Sequence, residues 1–129
     1  YDDVALDVFD YLASRIAACL AAGIDHRRLI VDPGLGFGKR GRDNLAIMRS
    51  LTLFHGLGCP VMLGASRKGF GGESARGAAP RDRLPQSLVA ALHGLDQGVQ
   101  LLRIHDVAET RQVVAFWRRL DGAGSSDTA

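Results

Sequence analysis

Apolar residues recur along this chain in two rhythms. In four stretches they return every three or four positions; in three shorter ones they run together and stop at a polar or charged group. Over residues 4–22, Phe9, Leu12, Ile16 and Leu20 share one face, Asp7, Asp10 and Arg15 lie on others, and Gly23 ends the pattern, which predicts an amphipathic helix. The run Leu29, Ile30, Val31 ends in Asp32 and predicts a buried strand over 28–32. A helix is expected over 44–55 through Leu45, Met48, Leu51 and Phe54, with Asp43 or Asn44 as its cap and Gly56 and Gly58 as its stop. Residues 60–64 predict a second strand running into Ser66-Arg67-Lys68-Gly69-Phe70, followed by a small, flexible loop over 71–79. Leu84, Leu88, Leu92 and Leu95 predict a third helix over 83–96, where Pro85 fits only in the first turn. The third strand, 99–104, delivers Arg103, His105 and Asp106. Asp106 and Glu109 have the spacing of a capping box opening a last helix, with Val107, Val114 and Trp117 facing inward.

The resulting order is one helix followed by strand and helix three times, with connections suited to right-handed crossovers and a parallel sheet. All three strands would deliver their polar ends to one edge. Eight such units close a barrel of about 250 residues, so a leading helix and three βα units correspond to the final part of one. A small open α/β sheet is the alternative. Residues 1–120 form the expected domain, a partial barrel, and 121–129 a flexible tail rich in Gly, Ser, Asp and Thr.

Composition narrows the class. With 47% apolar and 23% charged residues the chain reads as an ordinary globular domain rather than a disordered or fibrous one. No apolar stretch is long enough to cross a bilayer and the start lacks a signal-peptide pattern, so the expected location is cytoplasmic, without membrane association. A net charge of +2 is too small to argue for nucleic acid, although a local group of Arg and Lys suits a small anion. Cys19 and Cys59 match no metal or redox spacing and read as reduced, buried thiols. The chain begins at Tyr1 rather than Met, as expected of a piece of something longer.

The chemistry sits at the strand ends. Asp32 closes a strand and is followed by Gly34, Gly36 and Gly38, which let the backbone turn and come close to a ligand. GLGFGKR is neither a P-loop nor GxGxxG. His26, His55 and His93 have no partners at metal spacing and read as surface or structural residues. Trp117 reads as a packing anchor, and Arg111, Arg118 and Arg119 as a solvated helix face.

Three segments, DPGLGFGK, GASRKGF and RIHD, occur in this order and spacing. With them, and with the leading helix, the chain from Tyr1 to about Leu120 resembles the C-terminal half of dihydropteroate synthase. That family is an eight-stranded TIM barrel joining 6-hydroxymethyl-7,8-dihydropterin diphosphate to p-aminobenzoate. The resemblance implies that this chain supplies strands six to eight. It assigns Asp32 to the pterin's amino and ring N–H edge, Lys68 to the pterin's ring oxygen and nitrogen, and Arg67 to the pterin face. Phe37 and Gly69 would line the p-aminobenzoate site, while Arg103 and His105, with the helix opened by Asp106, would hold the diphosphate. Lys68, Arg103 and His105 are the implied catalytic residues. Physical chemistry agrees with these roles: an ionised Asp is acceptor-only, Arg stacks on flat rings, and anions gather at helix N-termini beside Arg and His.

The family's N-terminal half, with its Asn-x-Thr-Pro-Asp-Ser-Phe loop, is not in this chain. A Mg2+ ion is implied as cofactor, its ligand residue lying in that half, and the full-length parent is expected to be a homodimer. Gly69 departs from the family, many members carrying a hydroxyl or longer side chain there, so that contact falls to backbone N–H groups. Other readings are a truncated pterin- or phosphate-binding module without turnover, and a pterin-dependent methyltransferase domain, against which SRKGF argues.

Overall fold

The computed structural model describes residues 3–70 and 77–122. Four helices pack in chain order around three short parallel segments. Helix α1 (Val4–Ala21) begins where the Asp3 carboxylate accepts the N–H groups of Ala5 and Leu6, satisfying two of the donors a helix start leaves open. Helices α2 (Gly41–Arg49), α3 (Leu84–Asp96) and α4 (Val107–Leu120) follow. α1 packs on α2 and on the 3-10 segment Leu51–Leu57, α2 on α3, and α3 on α4.

The three expected strands are present in shortened form. Val31 makes a parallel bridge with Val61, donating to the Pro60 carbonyl at 2.9 Å and accepting from the Met62 N–H at 2.8 Å. Strand β1 (Met62–Leu63) then pairs in parallel with β2 (Leu101–Leu102). The expected strand over 28–32 is thus a single ladder position, because Asp25 caps a 3-10 turn over His26–Arg28 that occupies the start of the run. Val31, β1 and β2 lie side by side in sequence order, as adjacent staves of an α/β sheet would.

Other boundaries moved for identifiable reasons. The second helix starts earlier than expected, at Gly41, with the Asp43 carboxylate accepting the Arg40 N–H; beyond Arg49 the chain tightens into the Leu51–Leu57 segment. Asn44 is not a cap but a buried side chain of the second turn. Pro85 does sit at the start of α3, after a 3-10 turn over Pro80–Arg83. The expected loop at 71–79 lies largely outside the described residues, as do positions 123–129 of the expected tail.

The core gathers Val31, Leu35, Ile47, Leu51, Phe54, Val61 and Leu63 between the segments and the first two helices. Farther along, burial thins. The Leu84, Leu88, Leu92 and Leu95 stripe is only half-buried, and Val107, expected to face inward, is exposed, as are Ile30, Phe116 and Leu120. Cys59 is buried, whereas Cys19 is only half-buried; both are free thiols. Among the described residues no helix is long and apolar enough to cross a membrane.

Candidate active site

The loop after Val31 is held by its own side chains. Asp32 turns back so that Oδ1 accepts the Gly34 N–H at 2.8 Å, a turn that Asp forms readily. The backbone is left-handed at Gly34, Gly36 and Gly38. Gly36 has the strictest requirement: at φ +79 a Cβ would also lie 3.3 Å from Lys68 Cδ. Asn44, 2% exposed, accepts the Gly36 N–H at 2.7 Å and donates to the Arg40 carbonyl at 2.9 Å, so one amide from α2 fixes the middle and the end of the loop. Lys39 closes it by donating from Nζ to the carbonyls of Gly34 (2.9 Å) and Phe37 (3.1 Å). Leu35 is driven into the core, while Phe37 projects outward, 65% exposed.

The second segment brings a cation over this loop. Lys68 Nζ donates to the Leu35 carbonyl and sits 4.7 Å from the centre of the Phe37 ring, within cation–π range. Burial holds the Lys68 ammonium below the usual lysine range; Arg103 and Lys39 push the same way and Asp32 opposes them. Lys39 is lowered mainly by burial, again against the pull of Asp32. The acid at the first segment therefore sits among cations from all three.

Arg103 arrives from the end of β2, where its N–H donates to the Leu63 carbonyl at 2.9 Å. Its guanidinium lies across Gly64, at which a Cβ would come within 2.6 Å of Arg103 Nη2, so a side chain there would push the guanidinium from its place. It approaches Asp32 at 3.5 Å and keeps 54% of its side chain exposed. His105 is joined to Ser66, whose Oγ accepts the His105 N–H at 3.2 Å and lies 3.0 Å from Nδ1. With that hydroxyl donating its hydrogen bond to Nδ1, Nε2 carries the ring N–H and is left as a donor.

Phe37, Lys68 and Gly69 line one cavity of about 410 Å3 together with Gly36, Lys39 and Asn44. A second cavity, about 520 Å3, lies between α2 and α3 on the other side of Lys68, walled largely by Leu45, Met48, Phe70 and Val89. The structure therefore groups Asp32 with Arg103, Phe37 with Lys68 and Gly69, and His105 with Ser66. Arg67 is different: its guanidinium grips Asp106 in a two-point pair. The Asp106 carboxylate consequently makes no cap bond to α4, and the expected capping box does not form; the Thr110 hydroxyl donates to the Asp106 carbonyl instead.

Asn44, expected only as a helix cap, Ser66, and Ser87 had no place in the site predicted from the sequence. Asn44 was visible as a polar residue at a helix start, and Ser66 sits inside a singled-out motif. Ser87 is a lone serine on a helix, and nothing in its sequence surroundings marks it. The three histidines read as structural all have partners: His55 Nε2 lies 2.8 Å from the Gln97 carbonyl, His93 Nε2 2.8 Å from the Met48 carbonyl, and His26 3.5 Å from Cys59 Sγ. The indole N–H of Trp117 donates to Asp96.

This arrangement can be set beside known proteins. The model of the pterin binding enzyme family matches residues 1–105, and the chain belongs to that family. Within it, the chain is 42% identical over 123 residues to the dihydropteroate synthase of Neisseria meningitidis serogroup B, covering 93% of this chain and 43% of that protein. It superposes on the dihydropteroate synthase of Xanthomonas albilineans, solved in complex with 7,8-dihydropteroate, with a TM-score of 0.89 and 42% identity, over 94% of this chain and 46% of that one. The enzyme of Thermus thermophilus, solved with 6HMPPP and with 4-aminobenzoate, gives a TM-score of 0.86 at 38% identity, over 93% and 48% of the two chains. The chain thus spans less than half the length of these relatives.

Proposed function

We propose that this chain forms strands six to eight of a (β/α)8 barrel that condenses 6-hydroxymethyl-7,8-dihydropterin diphosphate with p-aminobenzoate, yielding 7,8-dihydropteroate and pyrophosphate. The observation that carries the reading is the meeting of one acid, Asp32, with the cations Arg103, Lys68 and Lys39, delivered to a single edge by three successive parallel segments.

Asp32 Oδ1 is occupied by the Gly34 N–H, while Oδ2 is paired only with Arg103 at 3.5 Å, and a donor-rich edge such as the guanidine-like side of a pterin suits that oxygen once Arg103 turns to the diphosphate. Lys68 stands between the pterin side and the Phe37 wall, where it can reach ring acceptors of the first substrate while the arylamine lies against Phe37 and Gly69. The C–O bond between the pterin methylene and the diphosphate breaks with its electron pair leaving on oxygen. The amine nitrogen then forms the new C–N bond and gives up a proton. The charge to be stabilised is on the departing diphosphate. Arg103, with 54% of its side chain exposed and a pairing of 3.5 Å, and His105 are suited to it. Arg67 is proposed to lie along the pterin face.

Among the described residues no group of three His, Cys, Asp or Glu side chains could hold a metal ion. The ligand of the expected Mg2+ ion is proposed to lie in the N-terminal half that these residues lack, and the roles given to Asp32, Lys68, Arg103 and His105 do not depend on it. Dimerisation of the parent protein belongs to this reading as a further proposal.

In the full-length protein that carries these residues, Asp32→Ala and Lys68→Ala are each expected to lower kcat/KM for dihydropteroate formation on the order of 10²- to 10³-fold. Unchanged activity in both variants would overturn the reading. Because the chain spans under half of its relatives, a second reading is a binding module without turnover. Calorimetry with the pterin diphosphate that finds binding, beside an assay that finds no product, would favour it.

A further inference from the structure

Arg67 is the one non-glycine residue with positive φ (59°) among the described residues, and it immediately precedes Lys68. For a side-chain-bearing residue the left-handed region is disfavoured, and it persists where the surroundings over-determine it. Here they do so from three directions. The Arg67 N–H donates to Ser87 Oγ on α3 at 2.8 Å, and that hydroxyl donates onward to the Arg83 carbonyl at 3.0 Å. The Arg67 carbonyl accepts from Arg83 Nη1 at 3.0 Å. The guanidinium is pinned by Asp106, with Nε at 3.1 Å from Oδ2 and Nη2 at 2.6 Å from Oδ1.

Resting on the synthase reading above, we infer that Asp106, with Ser87, is a positioning residue for Lys68. By fixing Arg67 in its left-handed turn, the pair determines where the next side chain emerges and so carries the Lys68 ammonium to the Leu35 carbonyl and the Phe37 ring. The two-point geometry matters: a planar guanidinium held at two nitrogens cannot rotate about a single hydrogen bond, whereas a single contact would allow it. The device also ties two strand ends together, since Arg67 follows β1 and Asp106 follows β2. Asp106 touches no proposed substrate position. Its effect passes through Arg67.

The test is a double-mutant cycle in the full-length protein, with kcat and the KM for each substrate measured for Asp106→Asn, Arg67→Gly and the double variant. Asn keeps the shape of Asp106 but loses the charge, and Gly accepts φ 59 without a side chain to be held. Asp106→Asn is expected to raise the KM for the pterin diphosphate about tenfold, since small misplacements of contacting groups cost that much or more. The KM for p-aminobenzoate should rise as well, because the displaced Lys68 also lines the Phe37 cavity. The double variant should be no worse than Arg67→Gly alone, because both substitutions release one latch. Ser87→Ala should reproduce the same rise in both KM values with a smaller amplitude and serves should Asp106→Asn fold poorly. Additive losses in the cycle, an effect confined to the KM for the pterin diphosphate, as loss of an Arg67 contact alone would give, or wild-type kinetics for both Asp106→Asn and Ser87→Ala would overturn the inference. Lys68→Ala separates this failure from that of the synthase reading: if it is inactive while Asp106→Asn is normal, the latch alone is wrong, and if it is fully active the reading itself has failed.

Discussion

At the scale of single residues, position mattered less than partnership. Asp106 belonged by spacing to a helix cap, yet a cap offers it neutral N–H donors, and Arg67 offers a charged, two-point donor that is roughly twice as strong. The arginine therefore takes the carboxylate. The hydrogen bonds from Arg67 hold the Asp106 acid below the usual carboxyl range, with Arg67 and His105 adding favourable charge against the cost of burial. A lowered folded-state value means that the contribution to stability is complete above the ordinary value of 3.8 and disappears as the pH falls through the lowered one. Asp106→Asn is accordingly expected to be less stable than the parent at neutral pH. The difference should shrink as the solution is acidified below the ordinary carboxyl value. Thermal melts across that range check this, and a gap that stays constant with pH would contradict it.

Between elements, the loop that carries Phe37 owes its shape to α2. The Gly36 N–H has its acceptor in the buried Asn44 amide, which also holds the Arg40 carbonyl at the start of the helix. Removing the amide leaves the Gly36 donor unpaired, a loss of about 1–3 kcal/mol. Asn44→Ala should therefore lower the urea midpoint and, in the full-length protein, weaken p-aminobenzoate binding by loosening Phe37. An unchanged midpoint would mean that the loop finds another acceptor. α3 has the corresponding role for the second strand end through Ser87, and Arg103 rests on Gly64 at the third.

For the molecule as a whole, the helices cover one side of the three parallel segments and leave much else open. Ile30, beside the first segment, is 52% exposed, and Val107, Phe116 and Leu120 on α4 are all more than half exposed. Unpaired strand edges and exposed apolar side chains favour association with other chains. This chain expressed by itself is expected to self-associate, with a sedimentation-velocity mass that rises with concentration above that of one chain. A single monomeric species across a wide concentration range would show that it closes its own surface.

Hydrophobic rhythm by itself located all four helices and all three parallel segments, because burial imposes its period on the sequence wherever a face must be covered. The motif residues also stood out, since a glycine in a left-handed turn and an acid at the end of an apolar run carry local signatures. Strand lengths were not legible: Leu29 and Ile30 look like strand, but a ladder needs a neighbour, and only Val31 has one. Nor were the partnerships legible. Gly36 with Asn44, Arg103 with Gly64 and Arg67 with Asp106 join residues separated by 8 or 39 positions. Only the folded backbone brings those residues within hydrogen-bond or van der Waals distance, so the tertiary structure decides which cation holds which acid.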